Sequence, residues 1–146
     1  MKAGINVSIG TDGTASNNTL DMVEEMRFAA LLPKGSLHNP EAVNARTALR
    51  MATINGAKAL GIHHLTGSLE VGKRADLIVI HADASNMLPI YDVYSAIVYA
   101  SNSKNIRSSM VNGKWIMRNR ELMNINKTET MESMKHIVNS QTDNQK

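Results

Sequence analysis

The opening of the chain constrains its fold more than any other stretch. Residues 5–10 read INVSIG, an apolar, β-branched run after Gly4, which is the pattern of a buried strand. Residues 11–18, TDGTASNN, are rich in turn formers and read as a loop. Asn18 or Thr19 is then placed to cap a helix over residues 20–32. Asp21, Glu24 and Glu25 lie near its positive end, and Met22, Met26, Ala29 and Ala30 fall at helical spacing. Pro33 and Gly35 are expected to end it. Strand, polar loop and helix make one unit of a parallel sheet or barrel. A parallel strand needs neighbours reached by long connections, and no second strand of this kind follows. The order of elements alone predicts a chain that begins inside a domain.

Downstream the pattern changes. Residues 42–61 carry an apolar stripe through Ala45, Ala48, Leu49, Ala52, Ala59 and Leu60, with Asn55-Gly56 as the expected break between two helices. Gly67 and Gly72 read as turns, residues 75–81 as a strand, and residues 91–99 fit helix or strand equally. Asn112-Gly113, between Met110-Val111 and Trp115-Ile116, is the favoured two-residue hairpin turn. A β-rich module is therefore predicted from a boundary near residue 63. A helix over residues 128–139 would use Met131, Met134, Ile137 and Val138, and the polar end SQTDNQK is expected to be disordered. Aromatic residues are only 3% of the chain, so the core must be aliphatic, with ten methionines to fill irregular gaps. Trp115, the single tryptophan, is expected to anchor the β module.

Several function classes fall away. The net charge of +3 invites a nucleic-acid reading, but the basic residues form no long cluster and few aromatics exist for bases to stack on. There are no cysteines, hence no disulfides, thiolate metal sites or cysteine nucleophiles; this fits a reducing cytoplasm. No apolar run approaches the ~18 residues of a membrane span, and the first residues lack the long apolar stretch of a secretory signal. The phosphate-loop, GxGxxG and GxSxG patterns are missing.

Asp12 is the candidate catalytic residue. It lies just past the C-terminal end of the first strand, between Gly10 and Gly13, at the edge where parallel α/β folds gather their chemistry. A carboxylate there can bind a metal, accept a proton or hold a substrate hydroxyl. A plain Asp-Gly turn is the competing reading. Ser16 and Asn17 follow in the same loop, either lining the pocket or capping the next helix. The histidines, His38, His63, His64, His81 and His136, show neither HxH nor HExxH spacing and read as surface or structural.

Ordered blocks along the chain carry a resemblance. GTDGTASNNTLDMVEEMRFAALL is similar to the last-strand region of the amidohydrolase superfamily, in the branch of methylthioadenosine/S-adenosylhomocysteine deaminases and triazine hydrolases. ALRMATINGAKALG resembles the helical segment after the barrel, and GSLEVGKRADLIVI the turn into a small β-sandwich. VYASNSKNIRSSMVNGKWIM is similar to the closing strands, so the likeness covers about residues 3–122.

The resemblance implies an α/β fold: the C-terminal part of a (β/α)8 barrel over residues 1–63, part of a composite β-sandwich over 64–127, and a helix and tail over 128–146. It implies a divalent metal, usually zinc, that lowers the pKa of a bound water. Asp12 would be both a ligand of that metal and the acceptor of the water's proton, with Ser16 and Asn17 near the substrate. The implied reaction is deamination of an amino-purine nucleoside. Hydrolysis of a triazine is the alternative, as is a non-catalytic remnant or assembly segment. The family's HxH pair, its later histidines and its glutamate have no match here. A barrel alone takes about 250 residues, so the remaining ligands and strands are expected from an N-terminal part of the same enzyme, and the 146 residues alone are expected to be inactive. A homo-oligomer is compatible with this reading; nucleic-acid and membrane partners are not expected.

Overall fold

A computed structural model describes residues 3–143. Helix α1 spans Met22–Ser36. Its cap is Asp21, not Asn18 or Thr19: the Asp21 carboxylate accepts from Val23 N at 2.9 Å and Glu24 N at 3.3 Å. The cause lies upstream. Asn17 Oδ1 accepts from Thr19 N and Leu20 N, and Leu20 adopts φ 47°, so the chain is still turning where the cap was expected. Pro33 and Gly35 fall inside the last turn rather than ending the helix. Proline forfeits one hydrogen bond, but Leu37 N donates to Pro33 O at 3.0 Å and Asn39 N to Lys34 O at 3.1 Å, which closes the turn behind it.

Two short helices follow, α2 (Ala45–Met51) and α3 (Ile54–Ala59). Asn44 caps α2 by accepting from Thr47 N at 2.9 Å. The break falls at Ala52-Thr53, not Asn55-Gly56. Thr53 leaves helical geometry (φ −130°, ψ −102°) and its hydroxyl donates to Leu49 O at 2.7 Å. Hydroxyl side chains offer the backbone such alternatives to the helical bond. Asn55 and Gly56 lie within α3.

Residues 5–10 belong to no strand. A strand exists through its ladder of hydrogen bonds, and among the described residues no parallel neighbour is present to form one. The alternation nevertheless survives: Val7 and Ile9 pack against the core while Asn6, Ser8 and Gly10 are exposed. That core comprises Met26, Ala30, Val43, Ala45, Ala48, Met51 and Val98. Buried alanines on α1 and α2 allow the helices to approach closely.

The β module is one antiparallel sheet in the order β1 (Leu77–Ile80), β2 (Ile106–Val111), β3 (Lys114–Arg118), β4 (Glu121–Leu122). The expected hairpin is present, with Asn112 at φ 49° and Gly113 at φ 77°, the positive pair such a turn demands. A second tight turn at Asn119 and Arg120, also at positive φ, leads into β4. The ambiguous stretch is helical: α4 (Val93–Ser95), capped by Asp92, runs into a π-type turn at Ala96–Ala100. That turn delivers Val98, at 0% exposure, into the core formed with α1 and α2.

Trp115 does not anchor a core. It is half-buried, with the Arg118 guanidinium 5.8 Å from its ring centre. The reason is that the sheet faces are largely open: Ile78 and Val111 are each 55% exposed. Helix α5 (Lys127–Asp143) likewise leaves Met131, Met134 and Ile137 outside any core. It also absorbs the first part of the tail expected to be disordered; residues 144–146 lie outside the described residues.

Candidate active site

The loop after residue 10 is built around Asp12. Its backbone sits at φ 60°, a conformation that Asp tolerates better than most residues. Its two carboxylate oxygens have different partners. Oδ1 accepts from Gly13 N at 2.7 Å, and Oδ2 accepts from the Ser16 hydroxyl at 2.8 Å. Ser16 N and Asn17 N both donate to Gly13 O, at 3.0 and 2.9 Å, which winds the loop into a turn beneath the carboxylate.

These bonds favour the charged form. The Ser16 hydroxyl, and after it the Gly13 N–H, hold the Asp12 carboxyl below its usual range. The side chain is open to solvent, so a ligand can reach it.

The structure brings Asp12 and Ser16 together and turns Asn17 elsewhere. Asn17 Nδ2 donates to Glu25 Oε1 at 2.5 Å, while its Oδ1 accepts from Thr19 N, the Thr19 hydroxyl and Leu20 N. Asn17 therefore ties the loop to the first turns of α1. Its spacing to Glu25 was readable in the sequence, but nothing there pointed to the pairing.

Two further polar residues had no sequence signal as organisers. Asn55 was read as a helix breaker, yet its Nδ2 donates to Val7 O at 2.9 Å, and Asn6 Nδ2 donates back to Asn55 O at 2.9 Å. Arg27 reaches from α1 to the carbonyls of Val98 and Ser101, joining α1 to the π-type turn. In the β module, Asp76 accepts from the Thr66 hydroxyl at 2.6 Å and from Asn112 N at 2.5 Å. It fastens the hairpin turn to the stretch before β1, which gives the aspartate of the KRADL run a structural purpose.

A metal finds one donor here. An ionised, hydrogen-bonded, accessible carboxylate is a suitable ligand, and Asp12 meets each condition. Among the described residues no three His, Cys, Asp or Glu side chains gather as a metal site. His63 and His64 stand edge to face, 6.1 Å between ring centres. Two shallow concavities, of about 430 Å³ beside Met87, Tyr91 and Tyr99 and about 360 Å³ on α5, include no residue of the Asp12 loop. No helix of the described residues is long and apolar enough to cross a membrane.

Relatives place this loop in context. A 5-methylthioadenosine/S-adenosylhomocysteine deaminase of Acetivibrio thermocellus is 44% identical over 138 residues, covering 94% of this chain and 32% of its own. A 5'-deoxyadenosine deaminase of Methanosarcina barkeri is 46% identical over 132 residues, covering 90% and 30%. The solved adenosine deaminase of Xanthomonas campestris with bound zinc superposes with a TM-score of 0.89 at 38% identity, covering 92% of this chain and 31% of that one. Atrazine chlorohydrolase of Arthrobacter aurescens, complexed with zinc, superposes at 0.84 with 28% identity, covering 94% and 30%. The chain thus spans about a third of the length of the relatives it matches. The amidohydrolase family profile matches residues 1–116, which include the Asp12 loop, helices α1 to α4 and most of the sheet. By that match, this chain belongs to the amidohydrolase family.

Proposed function

We propose that these residues form the C-terminal part of a zinc-dependent deaminase of amino-purine nucleosides, with Asp12 in its active site. The observation that carries the reading is the Asp12 carboxylate itself: solvent-open, at positive φ, and held ionised by Gly13 N and the Ser16 hydroxyl. In this reading residues 5–10 are the last strand of a (β/α)8 barrel. Residues 1–63 belong to that barrel, 64–127 to a composite β-sandwich and 128–146 to a terminal helix and tail. The remaining ligands and strands come from the enzyme's N-terminal part.

A divalent cation held there would supply a water of lowered pKa. Asp12 is the one residue of this chain assigned to hold it. In this reading Asp12 also accepts the water's proton and passes it on. The water oxygen adds to the ring carbon bearing the amino group, the carbon–nitrogen bond breaks, and the nitrogen takes the relayed proton and leaves as ammonia. Ser16 fixes the direction of Oδ2. Asn17 holds the loop to α1.

Nucleosides are favoured over triazines because relatives named as nucleoside deaminases are 44% and 46% identical, against 28% for the triazine enzyme. The test is turnover by the complete enzyme, read as ammonia release from methylthioadenosine, S-adenosylhomocysteine and 5'-deoxyadenosine and as chloride release from a chlorotriazine. Turnover confined to the triazine would overturn the nucleoside assignment. The 146-residue chain with added zinc is expected to release no ammonia.

A further inference from the structure

We propose that Asn55 is a positioning residue for Asp12; the inference rests on the reading of Asp12 given above. Residues 5–10 lead directly to Asp12, and α2 and α3 bond to them. Asn55 Nδ2 donates to Val7 O at 2.9 Å, Asn6 Nδ2 donates back to Asn55 O at 2.9 Å, and Ile9 N donates to Met51 O at 3.3 Å. The two side-chain bonds are reciprocal, so sliding the segment along α3 breaks both.

The apolar contacts and the polar ones do different jobs. Val7 and Ile9 pack on the core and set how deep the segment lies. They do not forbid a slip by two residues, which would return an apolar residue, Ile5, to the same face. Ile5 is already 68% exposed and available. The polar contacts oppose it, beside whatever neighbouring barrel strands contribute: only the present register presents Val7 O to the Asn55 carboxamide and the Asn6 side chain to the Asn55 backbone carbonyl. A slip of that size would carry Asp12 by about 6–7 Å, and a misplacement of even ~1 Å can cost about a hundredfold in rate.

A purely local role for Asn55 fits poorly. The cap of α3, Thr53, makes no side-chain cap bond, and Asn55 does not supply one; its amide leaves the helix for a residue 48 positions away. Asparagine is also a weak helix former, so α3 gains nothing from it.

The test uses the complete enzyme with Asn55→Ala and Asn55→Asp, the latter keeping shape while removing the N–H donor. Lys58→Ala, exposed in the last turn of the same helix, is the control. Both Asn55 variants are expected to lose kcat by roughly tenfold or more with KM changed less than about threefold, and to bind less metal per protomer; the control should match the parent. Folded Asn55 variants with parental kcat and metal content would overturn the inference. Should they fail to fold, hydrogen exchange in the parent decides. The Asn55 carboxamide protons are expected to exchange at least about tenfold more slowly than those of exposed Asn124, and equal rates would overturn it. Parental turnover in Asp12→Asn would defeat the reading of the site itself. An inactive Asp12→Asn beside parental Asn55 variants would defeat only the positioning role.

Discussion

The helical region and the sheet bury their apolar residues to very different degrees. In α1, α2 and the π-type turn, Met26, Ala48 and Val98 are closed off from solvent; in the sheet, Ile78, Val111 and Ile116 are open. Both regions follow sound local rules of spacing and turn chemistry. The difference lies in how many of each element's partners are within these residues. The helices α1 and α2 meet one another, whereas among the described residues the sheet leaves Ile78, Val111 and Ile116 uncovered. Secondary structure can thus be complete where packing is not, and the Asp12 loop sits on the better-packed side.

The comparison breaks first if the helical core is not a true core. Met26→Ala in the complete enzyme is expected to cost about 2–5 kcal/mol, read as a shift of the urea midpoint; a cost below ~1 kcal/mol would deny that Met26 is packed. The joint between the regions comes next. Gly67 adopts φ 91°, and a Cβ there would meet Ala57 Cβ at 2.7 Å and Ile54 Cα at 3.0 Å. Gly67→Ala should therefore destabilise by about 2–4 kcal/mol through backbone strain and overpacking. Neutral thermal unfolding would show that the turn does not press on α3.

A smaller effect sharpens the contrast. In the isolated chain, Ile78→Ser should change stability by less than about 0.5 kcal/mol, as at exposed surface sites. If residues outside this chain cover the sheet in the complete enzyme, the same change should cost several times more there. Equal costs in the two settings would mean that this face is never covered.

How much of this was legible in the sequence follows from the range of the interactions involved. The Asn112-Gly113 turn was readable because its positive φ values are a local demand. The family was readable because its motifs are contiguous. The break at Thr53 was not, since Asn55-Gly56 looks like the better breaker until Val7 is known to claim Asn55. Likewise the helix cap moved to Asp21 because Asn17 spends its carbonyl on Thr19 and Leu20. Residues 5–10 kept their alternation and lost their ladder, since pattern is intrinsic and pairing needs partners. Asp12 and its turn were legible; Ser16 as the donor to Oδ2 was not, since the loop offered it only as pocket lining or as a helix cap.

The smallest predicted effect concerns charge alone. Removing the hydroxyl in Ser16→Ala should raise the Asp12 pKa towards its ordinary value, because that bond is the leading cause of the depression. The sign is that of a depressed carboxylate: whatever these bonds contribute is present above the ordinary Asp range and lost as pH falls through the lowered value. Carboxyl-carbon NMR of the chain would follow it. An unmoved titration would show that Ser16 does not act on Asp12.

The central claim is that Asp12 is a ligand and proton carrier, not merely a turn aspartate. It is tested most directly by the turnover of Asp12→Asn in the complete enzyme, with a nucleoside the parent deaminates. Asparagine preserves the shape and the positive φ but gives up the charge. The account predicts a fall in kcat of about a hundredfold or more, and turnover within about twofold of the parent would contradict it.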